Sequence, residues 1–162
     1  MPGQGLELDT TTSRVFHDRR STREQLLLDA FEAIPEGIAI FDADDRYVLW
    51  NARYAEVYDE LGQHMRVGKR FEDILREGLA RGLYENAIGQ EDKWLHARML
   101  RHRRDQNEHE QMLSSGKWVR VQERRSAGGG SVGVRIDITD LKSSQNSFRR
   151  VFESNPVPIW VF

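Results

Sequence analysis

A short sequence pattern near the start of the chain returns at its other end. Residues 31–41 align with residues 152–162 without a gap, at an offset of 121 positions (152 − 31). The identical pairs are Phe31/Phe152, Glu32/Glu153, Pro35/Pro156, Ile38/Ile159 and Phe41/Phe162. An offset of this size is that of one domain with a linker. We therefore expect one complete domain and the start of a second copy, in the N-terminal part of a longer multidomain protein.

The composition excludes several kinds of site and partner. The chain of 162 residues has no cysteine, which excludes disulfide scaffolds, thiolate zinc sites, cysteine nucleophiles and cysteinyl-flavin photochemistry. Its formal net charge of −2 argues against a nucleic-acid-binding protein. The sequence contains no apolar run long enough for a membrane span or a signal peptide, so we expect a cytoplasmic protein.

The first third of the chain predicts a tail followed by a helix. Residues 1–20 lack apolar periodicity, which is typical of a flexible tail. A capping-box pattern at Ser21–Glu24 predicts the start of a helix that Pro35 ends. The apolar positions at helical spacing are Leu27, Phe31 and Ile34. This side of the helix can either cover the domain's own sheet or contact a second chain, and we favour the contact, in a homodimer.

Five segments with apolar alternation or strand-forming residues follow. The predicted strands are Gly37–Phe41, Arg46–Trp50, Glu108–Leu113, Trp118–Arg125 and Ser131–Ile138. Helical patterns lie between the second and third strands: one capped by Asn51, one over residues 71–79 and one over Gln90–Arg104. In the last two strands the alternating valines predict a shared core face, with Arg120 and Arg135 on the opposite face.

The order of these elements and several local motifs resemble the PAS sensor domain. The motifs are Ile34–Asp44, Trp50–Asn51, Gly116–Val121, Gly129–Val134 and Asp137–Asp140. Over residues 21–140 the resemblance implies an α+β fold with an antiparallel five-stranded sheet in the order 2-1-5-4-3. Helices would cover one face around a small-molecule pocket, with further helices at both ends. Residues 141–162 would then form an exit helix and the beginning of a second PAS domain.

Within this family the resemblance implies a sensory module ahead of an output domain in the same chain. The usual output domains are a diguanylate cyclase, a cyclic-di-GMP phosphodiesterase or a histidine kinase. We expect Asp137, Ile138 and Thr139 to relay a change in the sheet to the exit helix. Thr139 would cap that helix and Asp137 would pair with a nearby arginine. The simpler interpretation is a capped helix with a surface acid.

The aromatic and methionine residues fit two interpretations. They could surround a small ligand, with an arginine such as Arg120 or Arg135 holding an anion, or they could pack as ordinary core while the arginines face water or a partner. The tentative pocket residues are Trp50, Tyr54, Trp94, Met99, Trp118 and Arg120.

A haem-binding gas or redox sensor is the alternative function. Haem needs an axial ligand, and the candidates are His64, His96, His102 and His109. His96 and His102 lie on the long basic helix, where they also fit simple surface positions, so we predict no cofactor. The acidic turn at residues 42–45 lacks the spacing of a calcium loop, and we predict no metal site and a solvated turn. No set of serine, histidine and aspartate suggests a nucleophile, so we predict no catalysis in this segment.

Overall fold

The computed structural model describes residues 10–153, with side chains from residue 22 onward. The chain divides into two units, Met1–Ile34 and Pro35–Phe162. The predicted start of a second copy falls largely on residues 154–162, outside the described residues. No helix among residues 10–153 is long and apolar enough to cross a lipid bilayer.

The first unit contains one long helix, α1 (Thr10–Ala33). The predicted helix start is corrected: residues 10–20, which the sequence assigned to a tail, are helical, whereas residues 1–9 lie outside the described part. Ser21 therefore lies inside the helix and not at its start. Downstream of Ser21, the arginine, glutamate, glutamine and leucine residues at 23–28 are good helix formers, and adding residues to an existing helix costs little once it has nucleated. A helix can thus extend upstream of a local cap signal.

The second unit is built on one antiparallel five-stranded sheet. Its strands are β1 (Gly37–Phe41), β2 (Tyr47–Trp50), β3 (Gln106–Met112), β4 (Trp118–Arg125) and β5 (Ser131–Asp137). Their spatial order is β2-β1-β5-β4-β3, as the resemblance implies. Hairpins pair β1 with β2, β3 with β4 and β4 with β5. The pairing of β1 with β5 joins these two groups into one sheet.

The helices between β2 and β3 cover one face of this sheet. They are α2 (Ala52–Val57), α3 (Phe71–Ala80) and α4 (Glu91–His102), joined by short 3-10 turns at 59–64 and 85–87. The fully buried side chain of Asn51 fixes the first of them. Its Oδ1 accepts hydrogen bonds from the backbone N–H groups of Tyr54 and Ile38, at 3.0 and 2.9 Å. Asn51 is thus the predicted N-cap, and it also fastens α2 to β1.

The core lies between the sheet and these helices. Its members include Ala39, Phe41, Tyr47, Phe71, Ile74, Leu95, Met99, Val119 and Val121. Gly37 allows α2 to approach β1, because a Cβ atom there would lie 2.8 Å from the Cα of Tyr54. The last helix, α5 (Thr139–Glu153), follows β5 directly and buries no residue.

The prediction for the faces of β5 is wrong. Val121 lies opposite Arg135 in the β4–β5 ladder, and residues that face each other across a ladder share one side of the sheet. Arg135 is therefore on the core face with Val121, and it is 1% exposed. Val132, Val134 and Ile136 lie on the outer face, where they are only half-buried. A buried arginine needs a buried partner, and the structure supplies one.

Candidate functional site

A cluster of three charged side chains lies in the core behind the sheet. Arg98 comes from α4, Glu123 from β4 and Arg135 from β5, and each is at most 3% exposed. Arg98 donates two hydrogen bonds to the Glu123 carboxylate, at 3.0 and 2.6 Å. Arg135 donates a third from Nη2 to Oε1 of Glu123, at 2.9 Å. One carboxylate thus holds a helix and two strands together.

Two tyrosines of the helical layer complete the surroundings of Arg135. Its Nε donates a hydrogen bond to the hydroxyl oxygen of Tyr58 at 2.6 Å, and its Nη2 lies 3.4 Å from that of Tyr54. The guanidinium also lies 5.2 Å from the centre of the Tyr54 ring, within the range of a cation–π contact. Burial raises the pKa of Tyr54 well above its ordinary value, so this hydroxyl stays neutral.

The cluster carries more positive than negative charge. Burial acts to raise the pKa of Glu123, but the charges of Arg98 and Arg135 outweigh it and hold that pKa well below its ordinary value. Glu123 is therefore ionised, and it faces two guanidinium groups. The other hydrogen bonds of Arg135 go to the tyrosine hydroxyls and to the Val134 carbonyl, which carry no charge. The three charged side chains together therefore carry a net positive charge.

His102 lies against the same cluster and is almost completely buried. Its Nδ1 is 3.4 Å from Oε1 of Glu123 and its Nε2 is 3.5 Å from Oδ1 of Asp45. The imidazole packs between the rings of Phe41 and Phe71, whose centres are 5.0 and 4.4 Å away. Asp45 is 7% exposed, so the prediction of a solvated acidic turn is wrong at this residue, which the turn directs into the core.

The other candidate haem ligands are also poorly placed for haem. His64 contacts Arg81 at 2.9 Å, and His96 is exposed on α4. His109 lines a cavity of about 80 Å³ between α4 and β3. Sites for molecules of drug or cofactor size measure roughly 300–1,000 Å³. Neither this cavity nor the closed surroundings of His102 fits a haem group.

The structure does not bring the six tentative pocket residues together. Tyr54 and Met99 are in the core, and Trp50 packs against that core. Trp94 stacks on Tyr84 with the ring centres 4.5 Å apart. Trp118 and Arg120 alternate with the buried Val119 and Val121, so they lie on the outer face, and Arg120 pairs there with Glu110 at 3.3 Å. A single pocket lined by all six is not formed, because the period of β4 separates the two sides.

The junction between β5 and α5 is held by a compact set of hydrogen bonds. Oδ1 of Asp137 accepts a hydrogen bond from the backbone N–H of Thr139 at 2.9 Å. The Thr139 hydroxyl donates to the same carboxylate oxygen and accepts from the backbone N–H of Trp118 at 3.0 Å. The N–H of Ile138 donates to the Trp118 carbonyl at 2.8 Å. The predicted roles are therefore corrected: Asp137 caps the helix start and pairs with no arginine among the described residues, while Thr139 ties it to β4.

A lysine adds a second fastening one turn along α5. Lys142 pairs with Glu110 of β3, and its ammonium group lies 4.9 Å from the centre of the Trp118 ring. The hydrogen bond from Lys142 lowers the pKa of Glu110, and this outweighs the opposite effect of burial. The carboxylate therefore remains charged. The first turn of α5 is thus fixed to two neighbouring strands.

Both terminal helices expose apolar side chains. In α1, Leu26 and Leu27 are more than 60% exposed and Phe31 is half-buried, as is Ile34, which follows the helix. In α5 the exposed apolar residues are Leu141, Phe148, Val151 and Phe152.

The sequence reasoning missed the buried cluster. Its signal was present in β4, where Glu123 follows Val119 and Val121 at the same two-residue period and therefore lies on their face. A charged residue in such a position requires a buried partner of opposite charge. The sequence alone did not identify that partner, because the face of Arg135 depends on the register between β4 and β5.

Comparison with known proteins agrees with this architecture. The sequence model for the PAS fold matches residues 31–146. The "Non-motile and phage-resistance protein" of Caulobacter vibrioides is 29% identical over 151 residues, which is 90% of this chain but only 16% of that relative.

Two solved structures share the fold. The PAS domain of an HTR-like protein from Haloarcula marismortui is 16% identical, with a TM-score of 0.52, over 77% of this chain and 99% of that one. The phage VqmA–DPO complex is 14% identical, with a TM-score of 0.50, over 85% of this chain and 62% of that one. With the family match covering most of its length, the chain belongs to the PAS fold family.

Proposed function

We propose that this chain is a sensory and dimerisation module that regulates an output domain following it in the same protein. The observation that carries the proposal is the junction of Asp137, Ile138 and Thr139 with β4. A module that passes on a signal needs a defined mechanical connection between its sheet and the helix that leaves it. A diguanylate cyclase or cyclic-di-GMP phosphodiesterase is the first choice for the output domain, followed by a histidine kinase.

The contacts give a route from the core to α5. Glu123 and the backbone of Trp118 belong to the same strand, β4, and Glu123 binds Arg98 of the helical layer. A shift of α4 would therefore pull on β4, whose other end holds Thr139. A ligand or an assembly state that stabilises one position of α4 would change the direction in which α5 leaves the sheet.

The exposed apolar residues support a homodimer. Leu27 of α1 and Phe148 of α5 are both about two-thirds exposed, at 66% and 67%. Apolar side chains in such numbers on two helices are typical of contact surfaces. Two chains in contact would turn a change in helix direction into a change in the spacing of their output domains.

The junction is tested by measuring the direction of α5 relative to the sheet. Because the chain has no cysteine, spin labels can be attached specifically to R124C on β4 and S147C on α5. The variant T139V removes the hydroxyl that binds Trp118, and we expect the distance distribution between the labels to shift and broaden. The control T139S keeps the hydroxyl and should match the parent. An unchanged distribution in T139V would contradict the proposed relay.

The dimer contact is tested separately by deleting residues 1–34, which form a unit of their own. We expect light scattering to report a dimer for the whole chain and a monomer for the shortened one. If both proteins contained two chains per particle, α1 would not form the contact.

A further inference from the structure

A small cavity between α4 and β3 combines features of a binding site. Its volume is about 80 Å³. The side chains that matter for its chemistry are Trp94, Arg98 and Arg101 of α4 and His109, Glu110 and Gln111 of β3. On this measure of volume one water molecule needs roughly 10–15 Å³, so the space accepts a molecule of only a few heavy atoms.

One buried hydrogen-bond donor in the cavity wall has no partner. Gln111 is 8% exposed, and within the described part of the chain its Nε2 donates to no other group. Buried amide groups are hydrogen-bonded in the great majority of cases. An unpartnered donor that lines a cavity therefore indicates a missing acceptor.

The charges around the cavity favour a negative occupant. Arg98 lines it, and Arg101 is exposed at its rim and forms no ion pair among the described residues. Burial lowers the pKa of His109 to about 3, and the charges of Arg98 and Arg135 act in the same direction. Two negative groups are also near: Glu123 pairs with both buried arginines, and Glu110 is held by Arg120 and Lys142.

We propose that this cavity binds a small carboxylate of a few carbon atoms, between the Gln111 amide and the Arg101 guanidinium. A planar carboxylate offers two acceptor oxygens, which suit one amide donor and one guanidinium side by side. The stacked ring of Trp94 provides an apolar wall for the short carbon chain. The biological meaning of the site depends on the proposed sensory function, because α4, which would be held by the ligand, also carries Arg98.

The test is a titration of the whole chain with acetate, glycolate and succinate at constant ionic strength, followed by ¹H–¹⁵N NMR. We expect the side-chain amide signal of Gln111 to shift with saturation for at least one of the three acids. The neutral analogue acetamide should cause a much smaller shift. No saturable shift with any acid at concentrations on the order of 50 mM would overturn the proposal.

Two variants and a matched control locate the site. Q111M keeps the size of the side chain but removes the donor, and R101Q removes the charge at the rim; each should weaken binding by roughly tenfold. R104Q makes the same charge change outside the cavity and should stay within roughly twofold of the parent. Equal weakening in R101Q and R104Q would mean that the acid responds to general surface charge, and would overturn the site.

The outcome is independent of the test of the relay. Binding is read from Gln111 itself, whereas the relay is read from the distance between the labels on β4 and α5. Saturable binding that leaves this distance unchanged supports the site and contradicts the sensory coupling. A changed label distance in T139V, together with no binding of any acid, supports the coupling and contradicts the site.

Discussion

Replacing Glu123 by glutamine is expected to destabilise the domain severely, although the two side chains have nearly the same size. The carboxylate accepts two hydrogen bonds from Arg98 and one from Arg135, and all three residues are buried. The variant leaves both guanidinium groups in the core without a counter-charge. Removing one partner of a buried ion pair costs about 3–5 kcal/mol.

That cost is a large part of the total free energy of unfolding. Domains of ordinary size have unfolding free energies of about 5–15 kcal/mol. For a unit the size of Pro35–Phe162, a loss of about 3–5 kcal/mol lowers the melting temperature by roughly 10–20 °C. R135M provides a comparison, because it removes the excess positive charge and keeps both hydrogen bonds from Arg98 to Glu123. We expect it to cost less than E123Q.

Urea unfolding followed by circular dichroism measures these differences. E108Q is the matched control, since Glu108 lies on the outer side of β3 and its contacts are exposed. Its midpoint should remain close to that of the parent. The reasoning would be refuted if E123Q lost no more stability than E108Q, or if R135M were the more damaging of the two buried changes.

The pH dependence gives a second check on the same residue. The folded pKa of Glu123 is lowered, so its contribution is complete above the ordinary value of 4.5 and is lost as the pH falls through the folded pKa. The difference in unfolding free energy between the parent and E123Q should therefore narrow only in acid. A difference that narrowed between pH 8 and pH 6 would point to another group.

Two further predictions concern Asn51 and His109. N51A should lower the unfolding free energy by about 2–4 kcal/mol in urea titrations, because it removes a helix cap, leaves the part-buried N–H of Ile38 without its acceptor and leaves the N–H of Tyr54 with only a backbone acceptor. Burial lowers the pKa of His109 from 6.5 to about 3, so between these pH values the unfolded chain binds a proton at this residue and the folded chain does not. Stability should fall from pH 7.5 to pH 5 by about 1 kcal/mol after allowance for partial exposure, and H109Q but not H96Q should reduce that fall.

Local signals explain why the helices and strands could be placed along the chain, whereas the order of the strands in the sheet came from the resemblance to the PAS domain. The change of period after Pro35, the Asp-rich and Gly-rich turns and the Asn51 cap each involve residues close in sequence. All of them act on backbone geometry that a few neighbouring residues determine. The length of α1 was missed because the end of a helix depends on small propensity differences summed over many residues.

The site was harder to predict because it depends on pairing. In β5 the alternation of Val132, Val134 and Ile136 looks like a core face when that strand is considered alone. Only the register with β4 shows that Val121 faces Arg135. Residue type misled in the same way for the pocket, where Trp118 and Arg120 were grouped with Tyr54 although the period of β4 places them on the other side.

The buried charges also select the register in which β5 pairs. Both faces of β5 carry small or apolar residues. The hydrophobic pattern alone would therefore tolerate a shift of the pairing register by one residue, which would exchange the two faces of the strand. In such a strand Arg135 would lie on the outer face, and Glu123 would lose one of its two buried arginine partners. The observed register satisfies Glu123, Arg135 and Tyr58 together, and it leaves the half-buried valines on the outside. The cluster thus decides which face of the sheet receives the helices, and with it the side on which α4 can respond to a ligand.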